Sequence, residues 1–244
     1  MTKKSILLSA MLLVCSMSHS FVYAFFDTNK PLVLILLWPP GSGEGVLTVK
    51  VSKAFAIPHI NTANLLRDAS NEESELWEQA RECLNTTGAI PDSLVMQLLY
   101  QRIKRPDCQN GFIMDGLPRT LDQTEEMFGA LGPRFEILAV SIQIPDEVLL
   151  AKAEGRLICE TCGRVYHKEQ SPPEVPMTCD HCEDLLSQRK NDSLELVQKR
   201  LTEYRHSWEP IFRFYREKGL FVEVNGNCPM EQTFQEVKTI FNQE

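Results

Sequence analysis

The stretch Leu32–Phe55, LVLILLWPPGSGEGVLTVKVSKAF, decides the fold. Leu32 to Leu37 are apolar without interruption, the pattern of a strand covered on both faces. A turn rich in Gly and Pro follows, and a helix is expected from about Gly43 to Phe55. A strand, a glycine-rich turn and a helix N-terminus aim backbone N–H groups at one point, where the helix dipole adds partial positive charge. Gly41, Ser42, Gly43 and Gly45 form the turn, and its glycines let the backbone come close to an anion. The stretch reads either as a phosphate-binding loop or as a plain Gly/Pro connection.

Against the pattern GxxxxGK[ST], or GxxxxGKGT in one subclass, three positions depart. Trp38 replaces the first glycine, Glu44 the lysine and Val46 the hydroxyl residue. That lysine reaches the β- and γ-phosphates in intact loops. One pair of unit charges at about 4 Å and an effective dielectric near 20 is worth about 4 kcal/mol. Exchanging Lys for Glu removes an attraction and adds a repulsion, and each ~1.4 kcal/mol is a factor of ten in rate. Val46 takes away an oxygen that helps place a metal-bound phosphate, and Trp38 adds bulk to a tight turn.

Working outward, "IPHI" is a short second strand. Helices are expected over Ala63–Asp68, over Glu72–Leu84, and from Pro91 and Asp92 through Arg102. "GFIMDG" is a third strand, Thr120–Leu131 a helix, "FEILAVSIQI" a fourth strand, and Pro145 opens a helix through Ala153. Leu194–Glu217 is a long helical region expected to break near Pro210. "LFVEVNG" is a last strand and Met230–Phe241 a closing helix. Strands alternating with helices specify an α/β fold, a three-layer arrangement with a central parallel sheet.

Net charge is −8, so no general field favours DNA or RNA, and any anion site must be local. Apolar residues make up 43% of the chain, enough for a real core. The opening MTKK, the apolar SILLSAMLLVCSM and the following SHSFVYA read as a signal peptide, residues 1–24, cleaved near Ala24. An uncleaved anchor tethering the chain to a membrane is the other reading, although the run is short for a span. Val14 before Cys15 fits a lipoprotein cleavage site poorly. Export, periplasmic or secreted, would place the chain where thiols are open to oxidation.

Between Cys159 and Cys182 the composition turns to Cys, Pro and polar residues, an insert spanning 157–184. Cys159-x2-Cys162 and Cys179-x2-Cys182, sixteen residues apart, have the spacing of a zinc ribbon. Four thiolates would leave no open position, so the metal would be structural, holding together a segment with too little apolar content for its own core. Two disulfides are the alternative.

The loop, "IPHINTANLLR" (Ile57–Arg67), "GFIMDGLPRTLDQ" (Gly111–Gln123), "CETCGRVYH" (Cys159–His167) and "QRKNDSLELVQKRLTEY" (Gln188–Tyr204) occur in this order. Together they resemble an adenylate kinase of the long, zinc-lid type, over nearly everything from Pro31 onward. The resemblance implies a P-loop fold with a core of 31–156 and 185–244, an AMP-binding helical segment near 61–90, and a lid that closes over ATP. It implies reversible phosphoryl transfer from MgATP to AMP, with AMP, ADP and ATP as ligands, no nucleic acid, and no stable membrane partner after signal cleavage, in a monomer. It places Thr62, Arg67 and Arg119 on AMP and its phosphate. Gly88, Ala89 and Ile90 would line the adenine pocket, Gly116 would continue the site, and Gln123 would bond the adenine edge. Asp115 would orient magnesium-bound water. Arg119, Arg156, Arg189 and Arg200 would neutralise the transferring group, since such transfer needs positioning and charge neutralisation more than covalent help. Val165 and Tyr166 would flank the ATP base, with the backbone near Cys228 touching it.

Further departures from the family pattern fall mostly on the ATP side. Lys152 stands for an arginine, Leu157 for a basic residue, Asn191 for an acidic one, and Ala63-Asn64 for Gly-Asp. Lys50, Lys53 and Lys152 are the lysines that could replace the lost loop charge. Three functions remain open from the sequence: a kinase of reduced activity, an exported pseudokinase that binds AMP or another nucleotide, and a zinc-stapled protein with an empty site.

Overall fold

The computed structural model describes residues 30–42, 44–87, 90–188 and 192–241. The chain order begins with β1 (Leu32–Leu37), α1 (Glu44–Phe55), β2 (His59–Ile60), α2 (Thr62–Asn71), α3 (Glu75–Thr87) and α4 (Asp92–Arg102). A 3-10 turn at Pro106–Cys108 leads to β3 (Gly111–Asp115), α5 (Leu121–Leu131), β4 (Glu136–Gln143) and α6 (Asp146–Gly155). Then come β5 (Arg156–Cys159), β6 (Val165–His167), β7 (Leu186–Ser187), α7 (Leu194–Glu217), β8 (Phe221–Asn225) and α8 (Met230–Phe241).

Five strands make one parallel sheet in the order β2-β3-β1-β4-β8. β1 lies at its centre, with Leu34 paired to Ile113 on one side and Leu138 on the other. Residues of a strand alternate between faces, and β1 divides accordingly. Val33, Ile35 and Leu37 join a core with α2, α4, α5 and the C-terminal half of α7. Leu34, Leu36 and Trp38 join a second core with α1, α6, α8 and the N-terminal half of α7. Val33 through Leu37 are fully buried, which explains the uninterrupted apolar run. Burying each such side chain is worth about 1.5–3 kcal/mol.

Local chemistry sets the helix starts. The Asn61 side chain accepts from the Asn64 N–H, and Thr120 accepts from the Gln123 N–H, each satisfying an otherwise orphaned donor. α3 starts later than the periodicity suggests: Glu73 is left-handed and the Ser74 hydroxyl accepts from the Trp77 N–H, so the helix begins at Glu75. The break expected near Pro210 does not occur. α7 runs unbroken from Leu194 to Glu217 with Pro210 inside it. Ile211 and Tyr215, both fully buried, anchor that half to the core, and Arg205 grips Asp146 of α6 from the other half. Tertiary packing therefore overrides the local cost of the proline.

The cysteine-rich insert folds as a separate antiparallel sheet in the order β6-β5-β7. Its own small core is Leu157, Cys159, Tyr166, Cys179 and Leu186. Among the described residues no helix is long and apolar enough to cross a membrane.

Candidate active site

The loop leaves β1 through Trp38, whose ring enters the core with Leu36 and Leu47 instead of crowding the turn. Its indole N–H is buried and has no partner among the described residues. Ser42 is buried, and its N–H donates to the Pro39 carbonyl at 3.3 Å. Gly41 has φ +85°, a conformation that favours glycine, and a Cβ there would lie 3.4 Å from the Arg156 guanidinium. α1 begins at Glu44; Gly43 lies outside the described residues.

Above the C-terminal ends of β1, β2 and β3 a cavity of about 790 Å³ joins this loop to the insert. Gly41, Ser42, Gly45 and Val46 form its floor, and His59, Asn61 and Asp115 come from the ends of β2 and β3. Lys152 enters from the last turn of α6, Arg156 from the start of β5, and Val165, Tyr166, His167 and Ser171 from the insert. A crevice at the strand C-termini is where open parallel sheets hold ligands.

Most charges in the cavity are paired. Asp115 Oδ2 lies 3.2 Å from His59 Nε2, with both side chains largely buried. Arg156 Nη1 stands 3.7 Å from Asp192 Oδ1. Asp192 is buried, and its other oxygen has no partner among the described residues. His167 Nδ1 accepts from the N–H groups of Glu169 and Gln170, so Nε2 carries the proton and points at the Ala151 carbonyl at 3.4 Å. The same imidazole covers Gly155: a Cβ there would sit 2.2 Å from the ring, so only glycine admits this packing. A smaller recess of about 50 Å³ brings Arg200 beside Pro40, Gly41, Arg156 and Asp192. Arg200 also donates from Nε to the Leu196 carbonyl.

Residues expected to hold the monophosphate lie outside the lining of the large cavity. Thr62 has a buried hydroxyl with no partner among the described residues. Arg67, exposed, donates from Nη1 to Asn64 Oδ1 at 3.1 Å. Arg119 Nε donates to the Gly116 carbonyl at 2.9 Å, which curls that side chain back over the end of β3. Gln123 is buried, and its Oε1 accepts the Arg119 N–H at 2.7 Å. Ile90 packs against the first core. Cys228 sits after β8, where its thiol donates to the Asn225 carbonyl at 3.3 Å, away from the cavity lining. Gly88, Ala89 and Arg189 lie outside the described residues.

Two of the three lysines are placed elsewhere. Lys50 Nζ pairs with Glu231 at 2.7 Å and lies over the Phe234 ring. Lys53 occupies the last turn of α1, nine residues beyond Glu44, roughly 14 Å along the helix axis at 1.5 Å per residue. Lys152 alone of the three lines the cavity. His59, Asn61 and Asp192 were not singled out in the sequence. Asp192 had a weak signal, a second acidic position directly after Asn191 in a recognised segment.

In the insert, Sγ atoms of Cys159, Cys162, Cys179 and Cys182 all lie within 4.8 Å of one another. The shortest separations are Cys159–Cys182 at 3.3 Å and Cys162–Cys179 at 3.5 Å, and all four are free thiols. Both knuckles have one backbone pattern. The Cys159 carbonyl accepts from the Gly163 N–H and the Cys179 carbonyl from the Glu183 N–H, each at 2.9 Å. Four sulfurs at Zn–S distances of about 2.3 Å in a tetrahedron stand about 3.8 Å apart, so the cluster has the size of a zinc site. The Tyr166 hydroxyl accepts from the Asp180 N–H and holds the Cys179 thiol down to about 6, toward the thiolate a metal needs.

The adenylate kinase family model matches residues 36–220. An adenylate kinase of Caldanaerobacter subterraneus subsp. tengcongensis is 36% identical over 207 residues, covering 84% of this chain and 94% of the relative. That of Archaeoglobus fulgidus is 36% identical over 210 residues, covering 85% and 96%, and that of Caldicellulosiruptor bescii 38% over 207 residues, covering 84% and 96%. A parallel sheet with a loop and cavity at its strand ends, a four-thiol insert facing that loop, and this extent of likeness have one reading: the chain belongs to the adenylate kinase family.

Proposed function

We propose that this chain is an adenylate kinase-like phosphotransferase, ATP + AMP giving two ADP, whose transfer step is impaired at the loop. The cavity joining the Gly41–Gly45 turn to the insert, with Asp115, Lys152 and Arg156 opening on it, carries this reading. The triphosphate would lie along that floor, its base toward Val165 and Tyr166. The monophosphate would bind at Thr62, Arg67, Arg119 and Gln123, where a buried hydroxyl without a partner among the described residues is ready for a ligand. Arg156, Arg200 and Arg189 would converge on the transferring group. Magnesium, when bound with ATP, neutralises phosphate oxygens, and Asp115 would hold its water. Zinc on the four thiols would staple residues 157–184 as a lid on a core of 31–156 and 185–244, acting as a monomer.

The impairment follows from charge. Glu44 opens α1 where the pattern has lysine, and Val46, exposed on the cavity floor, offers no hydroxyl. Residues 1–24 fit a signal for export. A non-catalytic nucleotide binder is the second reading, favoured by the same loop.

A coupled assay of ATP plus AMP on the zinc-loaded chain, with calorimetric titration of AMP, ADP and ATP, separates the readings. We expect all three to bind and turnover far below the typical kcat of about 10 s⁻¹. Glu44→Lys should raise turnover at least tenfold without reaching the family's usual rate, because Trp38 and Val46 remain. Brisk wild-type turnover would overturn the impairment. Binding with no turnover in either protein would favour the pseudokinase, and silence toward all three nucleotides would exclude both.

A further inference from the structure

We propose that the end of the sheet opposite the cavity docks on an anionic lipid surface, with Lys30, Arg134 and Lys218 as its contact cations. The inference does not depend on how well the chain transfers phosphate.

Three basic side chains gather where the strands begin. β1 and β4 pair from Leu32 and Glu136 onward, and Lys30 and Arg134 each stand two residues before that pair. Lys30 Nζ donates to the carbonyl of Gly132, the C-cap of α5, at 3.2 Å. The Arg134 guanidinium lies over the Phe135 ring, 5.3 Å from its centre. Lys218, three residues before β8, holds its ammonium 4.8 Å from the ring centre of Phe128 and 4.7 Å from that of Phe214. One short segment, from Phe128 to Phe135, therefore carries or touches all three.

These charges are cradled but not neutralised. Among the described residues none of the three forms an ion pair, not even with Glu136 and Glu217, the acids close to them in sequence; Lys50, Arg205 and Arg216 each hold a carboxylate. Arg134 and Lys218 are exposed, and Phe128 and Phe214 beneath Lys218 are half-buried. A ring face or a carbonyl attracts a cation and leaves its charge able to meet a phosphate. Net charge is −8, so this attraction to anions is local to one end. Cations on flexible or planar heads above apolar rings match the boundary between headgroups and acyl chains.

The path of the chain points to lipid as the anion. The apolar stretch Ser5–Met17 precedes Lys30 by only twelve intervening residues, a reach of at most about 40 Å. Thirteen residues are short for a span, and one weak membrane signal needs a second for stable anchoring. The cations stand at the end of the fold where that stretch joins, and they supply the second signal. Because the sheet is parallel, docking by this end turns the cavity at the strand C-termini away from the lipid and toward dissolved nucleotides.

The test uses the full-length chain with vesicles of phosphatidylcholine, or of equal parts phosphatidylcholine and phosphatidylglycerol. Each cation near an anionic surface is worth roughly fivefold in partitioning, so three give a preference of about a hundredfold for the mixed vesicles, lost in high salt. The triple variant Lys30→Gln, Arg134→Gln, Lys218→Gln should lose that preference. The triple variant Arg164→Gln, Lys168→Gln, Lys199→Gln, with the same change of charge, should keep it. Since the apolar stretch can hold the chain to either vesicle, a second measurement uses wild type alone: labelling by a water-soluble acylating reagent, read by mass spectrometry. Lys218 should react several-fold more slowly on mixed than on neutral vesicles, and Lys168 at one rate on both. Equal labelling of Lys218 on the two vesicles would overturn the proposal. So would an equal loss of preference in the two triple variants, which would make the effect one of general charge.

Discussion

Thr62 shows how a single atom separates stability from binding. Its hydroxyl is buried and unpaired among the described residues, so the folded chain bears a desolvation cost that a ligand could relieve. Thr62→Val keeps the shape and removes the hydroxyl. Melting temperature should stay level or rise, while AMP affinity in calorimetry falls about tenfold, the order of one lost hydrogen bond. A fall in both would mean that the hydroxyl serves the fold. The sequence identified Thr62 and the paired arginines because they sit in recognisable segments. It did not separate Lys50 from Lys152, since only the folded arrangement reveals that Glu231, 181 positions later, occupies Lys50. Asp192 was missed for a similar reason: its burial against Arg156 depends on two chain segments meeting.

At the scale of elements, strands were legible wherever burial on both faces produced a continuous apolar run, as in β1, β3 and β4. The short strands of the insert left no such trace. β5, β6 and β7 hold two to four residues each, and their placement follows from four sulfurs and one buried tyrosine, not from periodicity. Pro210 misled in the opposite direction, because a local rule was outweighed by the packing of Ile211 and Tyr215. α7 still carries the proline's cost of a missing N–H. Pro210→Ala should therefore raise stability by about 1–3 kcal/mol, the helix-interior penalty less the entropy that proline removes from the unfolded chain. Chemical denaturation would measure it. A loss of stability would mean that the ring itself is needed for packing.

Across the whole molecule, the two cores on either face of the parallel sheet draw on α1 to α8 but on no residue of the insert between Leu157 and Leu186. The insert instead has five buried residues, two of them metal-ligand candidates. Stripping metal with a chelator should therefore loosen the insert first. Limited proteolysis should cut between Cys159 and Cys182 while the main thermal transition moves little, and adding zinc back should restore protection. A chain cut equally before and after chelation would argue against a metal staple. The parallel sheet also fixes where Trp38 ends up: at the end of the central strand, indole sealed in the core, one step from the phosphate turn. That makes the ring a native optical reporter. With Trp77 and Trp208 exchanged for phenylalanine, light emitted by the remaining indole would follow occupancy of the turn with no label attached.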